Sequence, residues 1–102
     1  MPVKNAAPWI GDTIQSIQQQ SYNNWELIAI DDHSSDDSLS ILQSFSQSDP
    51  AITYYQNSAM GIIPALQLAL TKAKGDFITR MDADDIMPEN KLELLVENAV
   101  KN

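Results

Sequence analysis

The chain predicts an α/β domain with a mainly parallel sheet, and three observations carry that reading. Short β-branched or aromatic runs alternate with helical patterns of about three turns each. Two of the runs break off abruptly into carboxylates: Trp25-Glu26-Leu27-Ile28-Ala29-Ile30 ends in Asp31-Asp32, and Phe77-Ile78-Thr79-Arg80-Met81 ends in Asp82-Ala83-Asp84-Asp85. With 102 residues the chain is long enough for one domain with one core. Burying an unpaired Asp is costly, so such clusters belong at open strand ends, and parallel sheets bind ligands beyond the carboxyl ends of their strands.

The elements follow in order. Ile10, Ile14 and Ile17 recur at helical spacing behind Pro8, which suits a first turn. Trp25 to Ile30 reads as a strand. Ser34-Ser35-Asp36-Asp37 offers a cap and an acidic first turn to a helix carrying Leu39, Leu42 and Phe45. Asp49-Pro50 breaks that helix, and Ile52-Thr53-Tyr54-Tyr55 is a short strand. A third helix carries Ile62, Leu66, Ala69, Leu70 and Ala73 and is expected to close at Lys72, Lys74 and Gly75. Phe77 to Met81 is the next expected strand. Pro88 opens a last helix through Leu92, Leu95, Val96 and Ala99. Met1-Pro2-Val3-Lys4-Asn5 stands directly before a helix, so the chain is expected to start near the end of its first strand.

Composition removes several classes of function. A net charge of −8 disfavours nucleic acid or an anionic membrane surface as partner. The absence of cysteine removes disulfides, thiolate zinc sites and thiol nucleophiles. No apolar run approaches a membrane span and no signal-peptide pattern opens the chain, so a cytoplasmic domain is the expectation. Neither a glycine-rich phosphate loop nor a dinucleotide fingerprint is present.

Chemistry concentrates in the acid clusters. Asp82 and Asp84 alternate along an extended segment and can share one ligand, and all-oxygen donors suit Mg²⁺ or Mn²⁺. A solvated acidic loop capping the last helix would use the same residues. Asp31 at its strand tip could accept from a base imide or a sugar hydroxyl, while Asp31-Asp32 could also serve as a helix cap. Arg80 can pair with Asp82 or Asp31, or reach a phosphate. His33 reads as an exposed loop histidine. Trp9, Trp25, Tyr54 and Tyr55 read as core or sheet-face residues. An acidic site would repel a diphosphate unless a divalent cation bridged the two.

The order of several blocks resembles the N-terminal half of family 2 glycosyltransferases: Pro2-Val3-Lys4-Asn5, Ser21-Tyr22-Asn23-Asn24-Trp25-Glu26, and Ile30-Asp31-Asp32-His33-Ser34-Ser35-Asp36. Asn57 to Ile62, Ala65-Leu66, and Gly75 through Asp85 continue it, so the resemblance covers nearly the whole chain. It implies the GT-A fold, a Rossmann-like three-layer α/β/α sandwich, with residues 1–102 forming its donor nucleotide-sugar-binding half. It implies transfer of a sugar from a nucleotide-diphosphate donor, a UDP-sugar foremost, to a saccharide or lipid-linked acceptor. Inversion and a Mg²⁺ or Mn²⁺ ion complete the implied chemistry, with cell-envelope polysaccharide synthesis as the setting. By position, Asp31 would contact the nucleobase and Pro2 and Val3 would line the base pocket through backbone. Asp82 would hold the ribose or donor sugar, and Asp84, with Asp82, would ligate the metal. Arg80 and Asp85 would support them.

The sequence departs from the family at Lys4, where an aromatic often stands, and at Leu66-Gln67, where many members have Arg-Asn. The catalytic base is expected downstream of Asn102, with the acceptor-binding half, so these residues alone are expected to be inactive. An incomplete sheet could pair with a second copy. Two rival readings use the same residues. Asp31, Asp32 and Asp82 resemble the acids of a Mg²⁺-binding receiver domain, a phosphorylation switch. A non-catalytic nucleotide-sugar-binding module is the other.

Overall fold

The computed structural model describes residues 1–101, with side-chain surroundings through residue 98. The chain runs β1 (Pro2–Val3), α1 (Ala7–Gln18), β2 (Leu27–Asp31), α2 (Ser38–Ser48), β3 (Ile52–Gln56), α3 (Ile62–Lys72) and α4 (Lys91–Lys101). The strands form one parallel sheet in the order β1-β2-β3. Val3 pairs with Asp31, and Asp31 pairs with Gln56. That register brings the carboxyl ends of all three strands to one edge.

The central strand is apolar on both faces, as a covered parallel strand should be: Leu27, Ala29 and Ile30 are all buried. Ile10, Ile14 and Ile17 of α1 pack in the same core as Val3, Leu42 and Ile52. Each fully buried isoleucine contributes about 1.5–3 kcal/mol of transfer free energy. Trp25, Ile41, Phe45, Tyr54 and Leu92 pack partly buried around that core.

Helix α1 has no cap of its own, since Ala6 precedes it and Pro8 occupies its first turn. The N–H groups at and just before its start are met from the β2–α2 loop and the first residue of α2. Ala6 N donates to Ser38 Oγ at 2.9 Å, Ala7 N to Asp36 Oδ2 at 3.1 Å, and Asn5 N to Ser34 Oγ at 3.0 Å. The Ser-Ser-Asp-Asp block is expected to cap α2 and make its first turn acidic, but the first turn carries no acid and Asp37 makes no side-chain cap bond. Of that block only the Asp36 side chain reaches α2, its Oδ1 accepting from Ser38 N at 3.0 Å. Ser38 Oγ donates to Asp36 Oδ1 at 2.6 Å, and this bond holds the Asp36 carboxyl below its ordinary range.

Four further expectations are corrected. Phe77 to Met81 is not a strand: it pairs with nothing in the sheet, and Phe77 and Ile78 are 55% and 62% exposed. Its β-branched and aromatic composition has no ladder partner to act on, and such propensity is realised only through cross-strand packing. Trp25 and Glu26 precede β2 rather than start it. Helix α3 ends at Lys72 with Ala73 already extended, so Gly75 caps nothing. Trp9 is 52% exposed and outside the core. The backbone of Ala99 lies in α4 as expected, while its side chain lies outside the described surroundings.

Candidate functional site

Three loops converge on the carboxyl edge of the sheet. The first follows β2. Asp31 and Asp32 are 2% and 7% exposed. Asp32 is fully engaged: Oδ1 accepts from Asn57 Nδ2 at 3.0 Å, and Gly61 N donates to Oδ1 and Oδ2 at 3.2 and 3.1 Å. Asn57 Nδ2 also donates to the Gly61 carbonyl at 3.1 Å. This bonding locks the second loop, β3 to α3, onto the first. Gly61 sits at φ 98°, ψ 172°, a conformation open essentially to glycine alone.

Asp31 is the opposite case. Its Oδ2 accepts a long bond from Ser34 N at 3.4 Å, whereas Oδ1 is buried and has no hydrogen-bond partner. A buried carboxylate oxygen left unpaired is costly and calls for an explanation.

The third loop carries the acids. Met81, Ala83 and Met87 are buried while Asp82, Asp84, Asp85 and Ile86 point outward. Each of the three carboxylates offers an oxygen within 4.8 Å of the others'. That donor set has the chemistry of a hard divalent cation site. Arg80 Nη2 lies 3.4 Å from Asp82 Oδ1 in an exposed pair of little energetic weight. Of its two possible carboxylate partners, the structure joins Arg80 to Asp82.

A cavity of about 470 Å³ lies between these loops. Pro2, Val3, Asp82 and Asp84 line it, as do Lys4, Trp9, Asp32 and Gly61. Asp31, Arg80 and Asp85 do not line it: Asp31 lies one residue behind, paired to Val3 in the sheet. His33 is exposed, with Nε2 donating to the Ala59 carbonyl at 2.7 Å. Sequence reasoning missed three contributors. Asn57 and Gly61, which fix Asp32, carry only the weak signal of an Asn and a Gly four residues apart. Trp9, assigned to the core, is part of the cavity wall.

These features define an α/β domain with an acid-lined cavity at the carboxyl edge of its parallel sheet. Its relatives define it further. The family model described as "Glycosyl transferase family 2" matches residues 1–102, and the chain belongs to that family. It is 41% identical over 103 residues to the Escherichia coli UDP-Glc:alpha-D-GlcNAc-diphosphoundecaprenol beta-1,3-glucosyltransferase WfgD, covering 100% of this chain and 40% of that protein. The fold matches the mannosyltransferase PcManGT from Pyrobaculum calidifontis, solved with GDP-Man and Mn²⁺, at TM-score 0.79 and 28% identity, over 98% of this chain and 30% of that one. It also matches S. aureus TarS, solved with UDP, at TM-score 0.85 and 22% identity, again over 98% of this chain and 30% of that one, a likeness of fold alone. The chain thus has the α/β GT-A fold and spans about two fifths of the WfgD sequence. With a helix ahead of β2 and this family match, the receiver-domain reading has no support. Among the described residues no helix is long and apolar enough to cross a membrane.

Proposed function

We propose that this chain is the donor-binding half of a metal-assisted, inverting glycosyltransferase that uses a nucleotide-diphosphate sugar. One observation carries the reading: the buried, unpartnered Asp31 Oδ1 lies one residue behind the wall of a cavity that Asp82 and Asp84 line. Asp31 Oδ1 accepts the imide N–H of a base, and the Pro2 and Val3 backbone lines the base pocket. Asp82 holds the ribose or donor sugar. Asp84, with Asp82, would hold Mg²⁺ or Mn²⁺, supported by Asp85 and Arg80. A divalent cation bound there would offset the negative charge developing on the departing diphosphate. The chain carries −8 net, so its acidic edge needs such a bridge to accept a diphosphate.

The complex of PcManGT with GDP-Man and Mn²⁺ supports a nucleotide-sugar donor and a divalent ion. A UDP-sugar is our choice of donor. The lipid-diphosphate acceptor in the name of WfgD supports a saccharide or lipid-linked acceptor, and the teichuronic acid enzyme TuaG of Bacillus subtilis, 36% identical over 97 residues, supports an envelope-polysaccharide role. The cytoplasmic face of the membrane is our choice of location. The base that deprotonates the acceptor lies beyond Asn102, so residues 1–102 bind donor without transferring it. Pairing of two copies through the open sheet edge is the matching assembly, and a monomer in light scattering at high concentration refutes it.

Calorimetric titration of UDP with and without Mn²⁺ tests the reading. Mn²⁺-dependent binding that disappears in Asp84→Ala is the expected result. Binding indifferent to both Mn²⁺ and Asp84 overturns the assignment of the acid cluster.

A further inference from the structure

Helix α1 and the turn that follows it carry two buried stripes. Ile10, Ile14 and Ile17 belong to the core, but Thr13, Ser16 and Gln20 beside them are as deeply buried, at 0%, 7% and 3% exposure. Buried polar side chains persist where their hydrogen bonds are made. Outside α1 and its C-terminal end, every partner of these three among the described residues lies between 83 and 92. Thr13 Oγ1 donates to the Ala83 carbonyl at 2.8 Å. Ser16 Oγ accepts from Met87 N at 2.9 Å. Gln20 Nε2 donates to the Pro88 carbonyl at 2.7 Å, and Gln20 Oε1 accepts from Leu92 N at 3.0 Å.

This seam does for the acid loop what a strand ladder would otherwise do. Residues 77–81 make no sheet pairing, so the carboxylates are not held from the N-terminal side by a β-ladder. They are held by α1, through backbone groups of the residues between and after them. Ala83, the residue that Thr13 grips, is the one flanked by Asp82 and Asp84. Its side chain is buried, so a pull on its carbonyl fixes the outward direction of both neighbours.

We infer that Thr13 is a positioning residue for the Asp82-Asp84-Asp85 cluster, setting through Ala83 the spacing of the carboxylates that would ligate a divalent cation. The inference rests on the cation reading proposed above. Groups that orient ligands are themselves worth roughly ten- to a hundredfold in metal affinity. Thr13→Val keeps the volume and removes the donor, and Thr13→Ser keeps the donor and removes a methyl.

The test is Mn²⁺ affinity in the presence of UDP, read from the paramagnetic resonance signal of free Mn²⁺. Thr13→Val should bind Mn²⁺ roughly tenfold more weakly and Thr13→Ser close to wild type. Ile52→Val, a core change remote from the loop, should lower stability and leave Mn²⁺ affinity unchanged. Wild-type affinity in Thr13→Val, while Asp84→Ala loses the ion, overturns the role of Thr13 and leaves the cation site standing. Unchanged affinity in Asp84→Ala overturns the site itself and the inference with it. Should Thr13→Val fail to fold, Thr13→Ala removes the same donor to the Ala83 carbonyl, and wild-type Mn²⁺ affinity there overturns the inference equally.

Discussion

Replacing Gly61 with alanine isolates a backbone cost from a packing cost. At φ 98°, ψ 172° the residue occupies a region that costs an L side chain about 1–3 kcal/mol. A Cβ built on Gly61 meets no atom within 4 Å, so no steric term adds to or hides that figure. Relaxation to an ordinary conformation is blocked, because the Gly61 N–H and carbonyl are both tied to the Asp32–Asn57 pair. Gly11 provides a matched control. It lies inside α1, a Cβ there also meets nothing within 4 Å, and alanine should gain about 0.5–1 kcal/mol from helix propensity. The two Gly→Ala variants should therefore move in opposite directions and differ by about 1.5–4 kcal/mol. Urea unfolding followed by tryptophan fluorescence measures both, with an unchanged slope confirming that the folded state is being compared. A Gly61→Ala protein as stable as wild type would refute the claim that the Asp32 network holds this loop rigid.

Three further outcomes are expected. Asp31→Asn keeps an acceptor for Ser34 N but puts an N–H donor where the unpaired oxygen stands, so it should weaken UDP binding roughly tenfold by calorimetry; unchanged affinity sinks the ligand-facing role of Oδ1. Ser38→Ala strands the buried Ala6 N–H at the head of α1 and should cost about 1–3 kcal/mol by urea unfolding, whereas a neutral result would mean α1 needs no borrowed cap. The Met1 amino group is pushed down from 8.0 to about 6, chiefly by burial and then by the Arg80 charge, with Asp82 opposing. The unfolded chain takes up this proton at higher pH than the folded one. Stability should therefore be full above pH 8 and fall by about 2–3 kcal/mol as pH drops through 6, and a flat profile of unfolding energy against pH would contradict that burial.

The helices and the first strands were legible because their side chains obey one period over several turns, as Ile10, Ile14 and Ile17 do. β2 was legible because burial on both faces demands an unbroken apolar run. Phe77 to Met81 carries the same apolar signal, but composition does not say whether a partner strand lies alongside. The acid clusters were legible as unsatisfied charge; that Asp31 and Asp32 play opposite parts was not. One oxygen stays unpaired and the other carboxylate is saturated only because Asn57 and Gly61 come from a loop about 25–29 residues away. Thr13, Ser16 and Gln20 escaped notice for a related reason. Polar residues on a helix ordinarily face water, and nothing local to α1 reveals that a distant segment lies on them.

The borrowed cap of α1 bears on the order in which this chain folds. The N–H groups at and just before its start find acceptors 29 to 32 residues ahead, in a loop and a helix start that exist only after β2 has been laid down. On its own, a 12-residue helix without a cap is marginal in water. During synthesis the N-terminal helix should therefore flicker until Ser38 has emerged, and then β1, α1, β2 and the start of α2 should consolidate in a single step. The acid loop, whose anchors are on α1, can settle only after that step.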